Sequence, residues 1–235
     1  LLGVPYGIFS AANLVRSGIV GLSPEQMVQT MYVNAKKDIS RAQMGIFFID
    51  EIDKIHIGGN RAEDEIGGAM TQNSLLALLD GTRLSFHEDG THMSGKRNFD
   101  TTQSLFICTG AFVGLAEIVR RRLRHAGQIG FDESRGRMAG PALTDDEALS
   151  QVRTEDLVKY GFIPEFVGRF PARTSVRTLG VDELVAILTD TETSILRKQR
   201  AYFSIHGIEL VFEDTALRAV AELALQNGTG ARGLD

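Results

Sequence analysis

In GIFFIDEIDKI, residues 45–55, an apolar run stops at two adjacent carboxylates, Asp50 and Glu51. Buried strands seldom end in an acidic pair unless something positive is held there. A second apolar run, SLFICTG, ends in Thr109 and Gly110. In a parallel sheet flanked by helices, ligands bind outside the carboxyl ends of the strands, so both endings would face one ligand. The chemistry that fits is a nucleoside triphosphate with Mg²⁺. Asp50 would hold the metal, largely through water, and Glu51 would orient and deprotonate an attacking water. An acidic cap cluster after a strand predicts the same two residues, and the run alone does not separate the readings.

Such a site also needs a phosphate cradle, G-x-x-x-x-G-K-[ST] between a strand and a helix. GTHMSGKR, residues 90–97, follows that spacing as far as Lys96, but Arg97 replaces the metal-binding hydroxyl. It precedes a strand pattern, so no helix N-terminus would face the phosphates. It reads as a surface loop, and the cradle is absent from residues 1–235. By themselves these residues are therefore expected neither to bind ATP tightly nor to hydrolyse it.

The elements that must position the pair follow from pattern. VPYGIF reads as a short strand. LSPEQMVQTMYVNAKKDI reads as a helix with Ser23 as cap, Pro24 at the first position and Gln26 closing a capping box; Met27, Met31 and Ala35 recur at helical spacing. After the strand at 45–50, the glycine-rich segment 57–68 reads as a loop, and NSLLALLDG as a helix stopped by Gly81. Residues 83–102 look irregular, SLFICTG is a buried strand and AFVGLAEIVRRRLRH a helix. A long Gly- and Asp-rich excursion, 126–150, precedes the capped helix TEDLVKYG. RTSVRTL reads as a further strand. Beyond it come a long helix (182–203), a strand IELVFE and an amphipathic helix from Asp214, with Leu217, Val220, Leu223 and Ala224 on one face. The sum is an α/β fold: a mostly parallel sheet, covered on both faces by helices, followed by a small, mainly helical part. The expected division is 1–178 and 179–235.

Composition narrows the class. The 235 residues carry a formal net charge of -5, which disfavours a dedicated nucleic-acid binder. The basic run RRRLRH, 120–125, fits a solvated helix face or an intersubunit charge surface better than a nucleic-acid site. The single cysteine, Cys108, permits neither an internal disulfide nor a cysteine-based zinc site, and points to a reducing, cytoplasmic setting. No apolar stretch reaches transmembrane length, and the opening LLGVPYGIF, without Met or a basic leader, reads as a cut through a longer protein.

The chain resembles the ClpX family of AAA+ unfoldases across nearly all its length. The matching stretches are GIFFIDEIDKI, LLALLDGT, LFICTGAFVGL, QIGF, EDLVKYGFIPEFVGRFP and GTGARGL. The run 156–171 together with GARGL is the specific part; IDEIDKI is shared more widely. The resemblance implies an AAA+ large domain that begins just after the phosphate loop, whose strand would be missing, and a small lid domain that stops at the second sensor. Asp50 and Glu51 would be the Walker B pair and Thr109 would stand near the first sensor. Arg169 would be the arginine finger reaching a neighbour's nucleotide, and Arg232 the second sensor; guanidinium groups suit phosphate by their fixed charge and forked geometry. A surface ion pair for Arg169 and a helix-capping role for Arg232 are the plainer readings of those residues. Ile187 and Leu188 fall where the family packs against adenine, and ordinary core packing predicts the same residues.

The resemblance further implies a homo-hexamer that uses ATP and Mg²⁺ to unfold tagged or unfolded proteins. Its pore loop would contain Ile19 and Val20, within GIVG, with Ile19 where the family has an aromatic. The basic entrance-loop motif survives only as His92, Lys96 and Arg97. Ile129, Gly130 and Phe131, an apolar island in a polar loop, would dock into a ClpP-type peptidase. The rival readings are a nucleic-acid-remodelling AAA+ ATPase and a non-catalytic AAA+ scaffold.

Overall fold

The computed structural model describes residues 3–15, 23–58, 62–88, 95–126, 143–191 and 194–234. Two compact units divide the chain, Leu1–Ser175 and Val176–Asp235.

The first unit opens with β1 (Tyr6–Ser10), α1 (Ala11–Val15), α2 (Pro24–Asn34), α3 (Ile39–Gln43) and β2 (Ile46–Asp50). A 3-10 turn, Ile52–Ile55, follows β2 directly. Then come α4 (Ala62–Leu79), β3 (Arg83–His87), β4 (Lys96–Asp100), β5 (Leu105–Cys108) and α5 (Leu115–Ala126). The unit ends with α6 (Asp145–Leu149), α7 (Thr154–Tyr160) and α8 (Pro164–Gly168). Strands β1, β2 and β5 form a parallel sheet with β2 in the middle, in register Ser10 beside Asp50 and Ile49 beside Cys108. Alternation sends Phe9, Phe47 and Ile49 to a buried face, where Phe47 stacks between Phe9 and Phe106. On the opposite face Tyr6, Ile8 and Leu105 are more than half exposed, so only one face of the sheet is fully packed among the described residues.

Helix α2 forms as its cap chemistry predicts. The Ser23 hydroxyl accepts from the Gln26 N–H, the Gln26 side chain accepts from the Ser23 N–H, and Met27, Met31 and Ala35 are buried. Elsewhere the structure corrects expectations. The glycine-rich 57–68 segment is not all loop, since α4 starts at Ala62 and runs through Gly67 and Gly68. Gly68 is needed for close approach: a Cβ there would lie 2.9 Å from the Ile55 carbonyl oxygen. Residues 83–102 hold an antiparallel hairpin, β3 with β4, that buries Phe86 and Phe99. The end of the 126–150 excursion is α6, capped by Thr144 and Glu147.

The second unit contains α9 (Val181–Asp190), α10 (Ile195–Ile205), α11 (Asp214–Gln226) and a 3-10 turn, Gly230–Leu234. The helix expected over 182–203 is thus two helices; Ser194 caps the second, accepting from the Arg197 N–H. No strand forms among the described residues at 173–179 or 208–213. Val176 and Val211 are largely exposed there: β-branched sequence makes a strand only where a neighbouring edge pairs with it. The core of this unit is Leu184, Leu188, Leu196, Leu217, Ala221, Ala224 and Leu234. On α11 the buried stripe is Leu217, Ala221 and Ala224, while Val220 and Leu223 face outward. Among the described residues no helix is long and apolar enough to cross a membrane.

Candidate functional site

Asp50 ends β2, and its carboxylate oxygen Oδ1 accepts from the Thr109 hydroxyl at 2.7 Å and from the Glu51 N–H at 2.8 Å. Thr109 is held in turn by backbone: its N–H donates to the Ile49 carbonyl and its carbonyl accepts from the Ile52 N–H, both at 2.9 Å. Glu51 leaves the strand in the left-handed region, φ 58 and ψ 35. For a non-glycine residue that conformation costs about 1–3 kcal/mol and persists only where its surroundings enforce it. One enforcing contact is Ser10 at the end of β1, whose hydroxyl donates to Glu51 Oε2 at 2.7 Å. Asp50, Glu51 and Thr109 are therefore brought together, exposed at the carboxyl edge of the sheet, with Ser10 as a fourth side-chain oxygen.

Behind them Asp53 is buried, 3.8 Å from Lys54 Nζ. A Cβ at Gly110 would come within 2.5 Å of Asp53 Oδ1, which explains a glycine after Thr109. Burial, with the nearby Asp53 charge, raises the Tyr160 phenol above its ordinary range. Cys108, one residue before Thr109, has its thiol pushed up to about 12 by burial, so it is an inert part of the core rather than a nucleophile or ligand.

Arg169 caps the C-terminus of α8, and its Nε lies 2.6 Å from Asp80 Oδ1, just beyond α4. In this structure it makes the surface ion pair that its residue type allows. Leu188 is in the core of the second unit, Ile187 packs partly buried against it, and Arg232 is exposed in the final turn. Ile19, Val20, Ile129, Gly130 and Phe131 lie outside the described residues. In GTHMSGKR, Lys96 and Arg97 belong to β4, and Arg97 pairs with Glu88, so neither sits before a helix.

The basic run on α5 is not a free charged face. Arg120 pairs with Asp145, Arg121 and Arg124 pair with Glu117, and Arg122 pairs with Asp156. Arg121 and Arg124 share one carboxylate and stay about two-thirds exposed, which fits the solvated helix face expected from the sequence.

Sequence reasoning passed over Ser10, Gln72 and Asp80. Ser10 carried a faint signal, a hydroxyl at the end of a strand. Asp80 carried a clearer one: a carboxylate just past a helix C-terminus opposes the helix dipole and calls for a cation. Gln72 shares a helix face with Leu75, where an apolar residue is the default.

Comparisons with known proteins bear on the family of the chain. Residues 9–173 match the family model "AAA domain (Cdc48 subfamily)". The chain is similar to an ATP-dependent Clp protease ATP-binding subunit ClpX of Treponema denticola, 37% identical over 239 residues, covering 98% of this chain and 56% of the relative. The ClpX of Borrelia duttonii is 37% identical over 238 residues, with 99% and 54% covered. The ClpX of Azotobacter vinelandii is 35% identical over 239 residues, with 100% and 54% covered. The chain spans about half the length of these curated relatives. With a family model matching most of its length and ClpX relatives along nearly all of it, the chain belongs to the AAA family, on its ClpX branch.

Proposed function

We propose that residues 1–235 supply the hydrolytic and second-sensor parts of a ClpX-type ATPase subunit. In the cytoplasm, a homo-hexameric ring of such subunits unfolds tagged or unfolded proteins and passes them to a ClpP-type peptidase. The observation that carries this reading is the strand-end cluster: two exposed carboxylates held by Thr109 and Ser10, with Glu51 in an enforced left-handed conformation. The net charge of -5 and the similarity to ClpX proteins favour it over a nucleic-acid-remodelling ATPase.

The donors at the cluster are all oxygen, the set Mg²⁺ takes, and they are few, which suits an ion that keeps waters and phosphate oxygens in its shell. When bound with ATP, Mg²⁺ offsets the charge of the phosphates. Asp50 would hold it, with Thr109 fixing the carboxylate's orientation. Glu51 orients a water for attack on the γ-phosphate and takes its proton. Arg169 serves the nucleotide of the neighbouring subunit and must leave Asp80 to do so. Arg232 contacts phosphate from the lid domain, 179–235, and the partly exposed Ile187 flanks the adenine, while Leu188 is core packing behind it. Ile19 and Val20 grip substrate in the pore, and Ile129, Gly130 and Phe131 dock the peptidase.

The peptidase assignment is tested by replacing Ile129 and Phe131 with Ser in the full-length protein. The expected outcome is loss of peptidase-coupled degradation with ATP turnover retained. Docking through several loops multiplies weak contacts, so loss on every subunit should abolish association. Retained association with the peptidase refutes the docking role.

A further inference from the structure

Gln72 is completely buried near the middle of α4, although Gln is a costly residue to bury unless every polar atom is met. Here the amide is fully used. Its Nε2 donates to the Ile55 carbonyl at 2.8 Å and to the Gly161 carbonyl at 3.2 Å, and its Oε1 accepts from the Ile163 N–H at 2.8 Å. Ile55 closes the 3-10 turn that starts immediately after Glu51. Ile163 is the residue before α8, and Arg169 follows α8. One side chain thus ties the turn behind the acid pair to the segment that carries the arginine.

The surrounding backbone is equally tight. The Ile57 N–H donates to the Gly161 carbonyl at 2.8 Å. A Cβ at Gly161, where φ is +120, would come within 2.2 Å of the Ile57 carbonyl oxygen. From there Tyr160, Phe162, Phe166 and Phe170 form a run of ring contacts along α7 and α8. At its other end α4 leads to Asp80, the partner of Arg169.

We infer that Gln72 is a positioning residue for Arg169: it fixes the arginine's carrier helix to the turn of the same subunit's Asp50–Glu51 pair, so that the finger is presented in one place. The inference rests on the proposed action of Arg169 in a neighbouring site. A group that acts on developing charge must be placed to within about 1 Å, and misplacement on that scale costs on the order of 10²-fold in rate.

Mixed rings of the full-length protein test it. In control rings, Glu51→Gln subunits, which cannot hydrolyse, are combined with Arg169→Ala subunits. Turnover should return, because the first kind lends its arginine to the intact Glu51 of the second. In the test rings the Glu51→Gln subunits also carry Gln72→Leu. The expected result is recovered turnover lower by about tenfold or more at saturating ATP, with KM unchanged, since the hydrolysing subunits keep their own Gln72. Gln72→Met, which keeps the side-chain length and volume but lacks the amide that donates to the Ile55 and Gly161 carbonyls, should give a loss of similar size. Native mass measurement confirms that the subunits share rings. Full recovery with either Gln72 variant in shared rings overturns the positioning role, as does failure of both variants to enter rings, which would make Gln72 a folding residue. Failure of the control rings alone overturns the trans reading of Arg169, and the inference with it.

Discussion

Two charged sites in the first unit are built in opposite ways. Between α5 and α7, Arg122 is 9% exposed and Asp156 is 0% exposed. Arg122 Nε donates to both Asp156 oxygens, at 2.8 and 3.1 Å, and another guanidinium nitrogen donates to the Gln151 carbonyl. Asp156 also accepts from the Arg153 N–H, so it caps its own helix as well as neutralising its partner. At the sheet edge, Asp50 and Glu51 are exposed, adjacent and alike in charge, and Glu51 adopts an unfavourable backbone conformation. The buried pair surrounds its charges with fixed partners, because a buried charge left short costs several kcal/mol. The edge pair is held by hydroxyls at a solvent-exposed rim, open to the metal and phosphate of the proposed function. Saturation suits a charge that serves the fold; orientation combined with access is what the proposed chemistry requires.

The largest effect that separates them is on turnover. In the full-length protein, Glu51→Gln should keep nucleotide binding and lower steady-state phosphate release by roughly 10²–10⁴-fold, the usual worth of a positioned general base. Gln fits the same space and can still accept from Ser10, so the fold should hold. Turnover within tenfold of the parent would mean that Glu51 is only a polar strand terminus.

The next largest is on stability, at the other site. Asp156→Ala leaves Arg122 buried without its counter-charge and should cost roughly 3–5 kcal/mol in urea unfolding of residues 1–235. The pH dependence has a definite sign. Burial alone would raise the Asp156 carboxyl, but hydrogen bonds from Arg122 and the Arg153 N–H, with the charges of Arg122 and Lys159, outweigh it and hold the carboxyl below its ordinary range. A depressed carboxyl stabilises the fold above the unfolded value of about 3.9, and that stability is lost as pH falls through the lower folded value. The gap between parent and Asp156→Ala should therefore be full near neutrality and shrink below about pH 4. A gap unchanged down to pH 3 would assign the loss to packing rather than charge.

What was legible in the sequence was local. The Ser23, Pro24 and Gln26 cap lies within a few residues of its helix, and the acid pair announces itself by ending an apolar run. The misreadings share a cause in long-range pairing. RTSVRTL and IELVFE have strand-like residues but gain no neighbouring edge among the described residues. Strands β3 and β4 hide their alternation because Phe86 and Phe99 are the only fully buried side chains among their described residues. Gly67 and Gly68 look like a loop until the Ile55 carbonyl is seen against Gly68. Gln72 reaches backbone groups some 90 positions away, and Ser10 meets Glu51 only once β1 and β2 are in register.

The smallest expected effect falls on that last contact. Ser10→Ala removes the hydroxyl that donates to Glu51 Oε2 at 2.7 Å and leaves the backbone register of β1 and β2 intact. Because Glu51 is exposed, water can replace the lost donor, so no buried group is stranded and global stability should change by less than about 0.5 kcal/mol. Water does not replace the orientation. The carboxylate gains rotamers, and a bond worth about 1 kcal/mol corresponds to roughly fivefold in turnover. The full-length Ser10→Ala variant should therefore show a fall in kcat of about that size with KM for ATP little changed, because Ser10 acts on the base rather than on ground-state nucleotide binding. Ser10→Thr, which restores a hydroxyl on the same strand end, should recover most of the loss. A raised KM with unchanged kcat would instead place Ser10 among the nucleotide's own contacts, and the edge pair would then owe its orientation to Thr109 and the backbone alone.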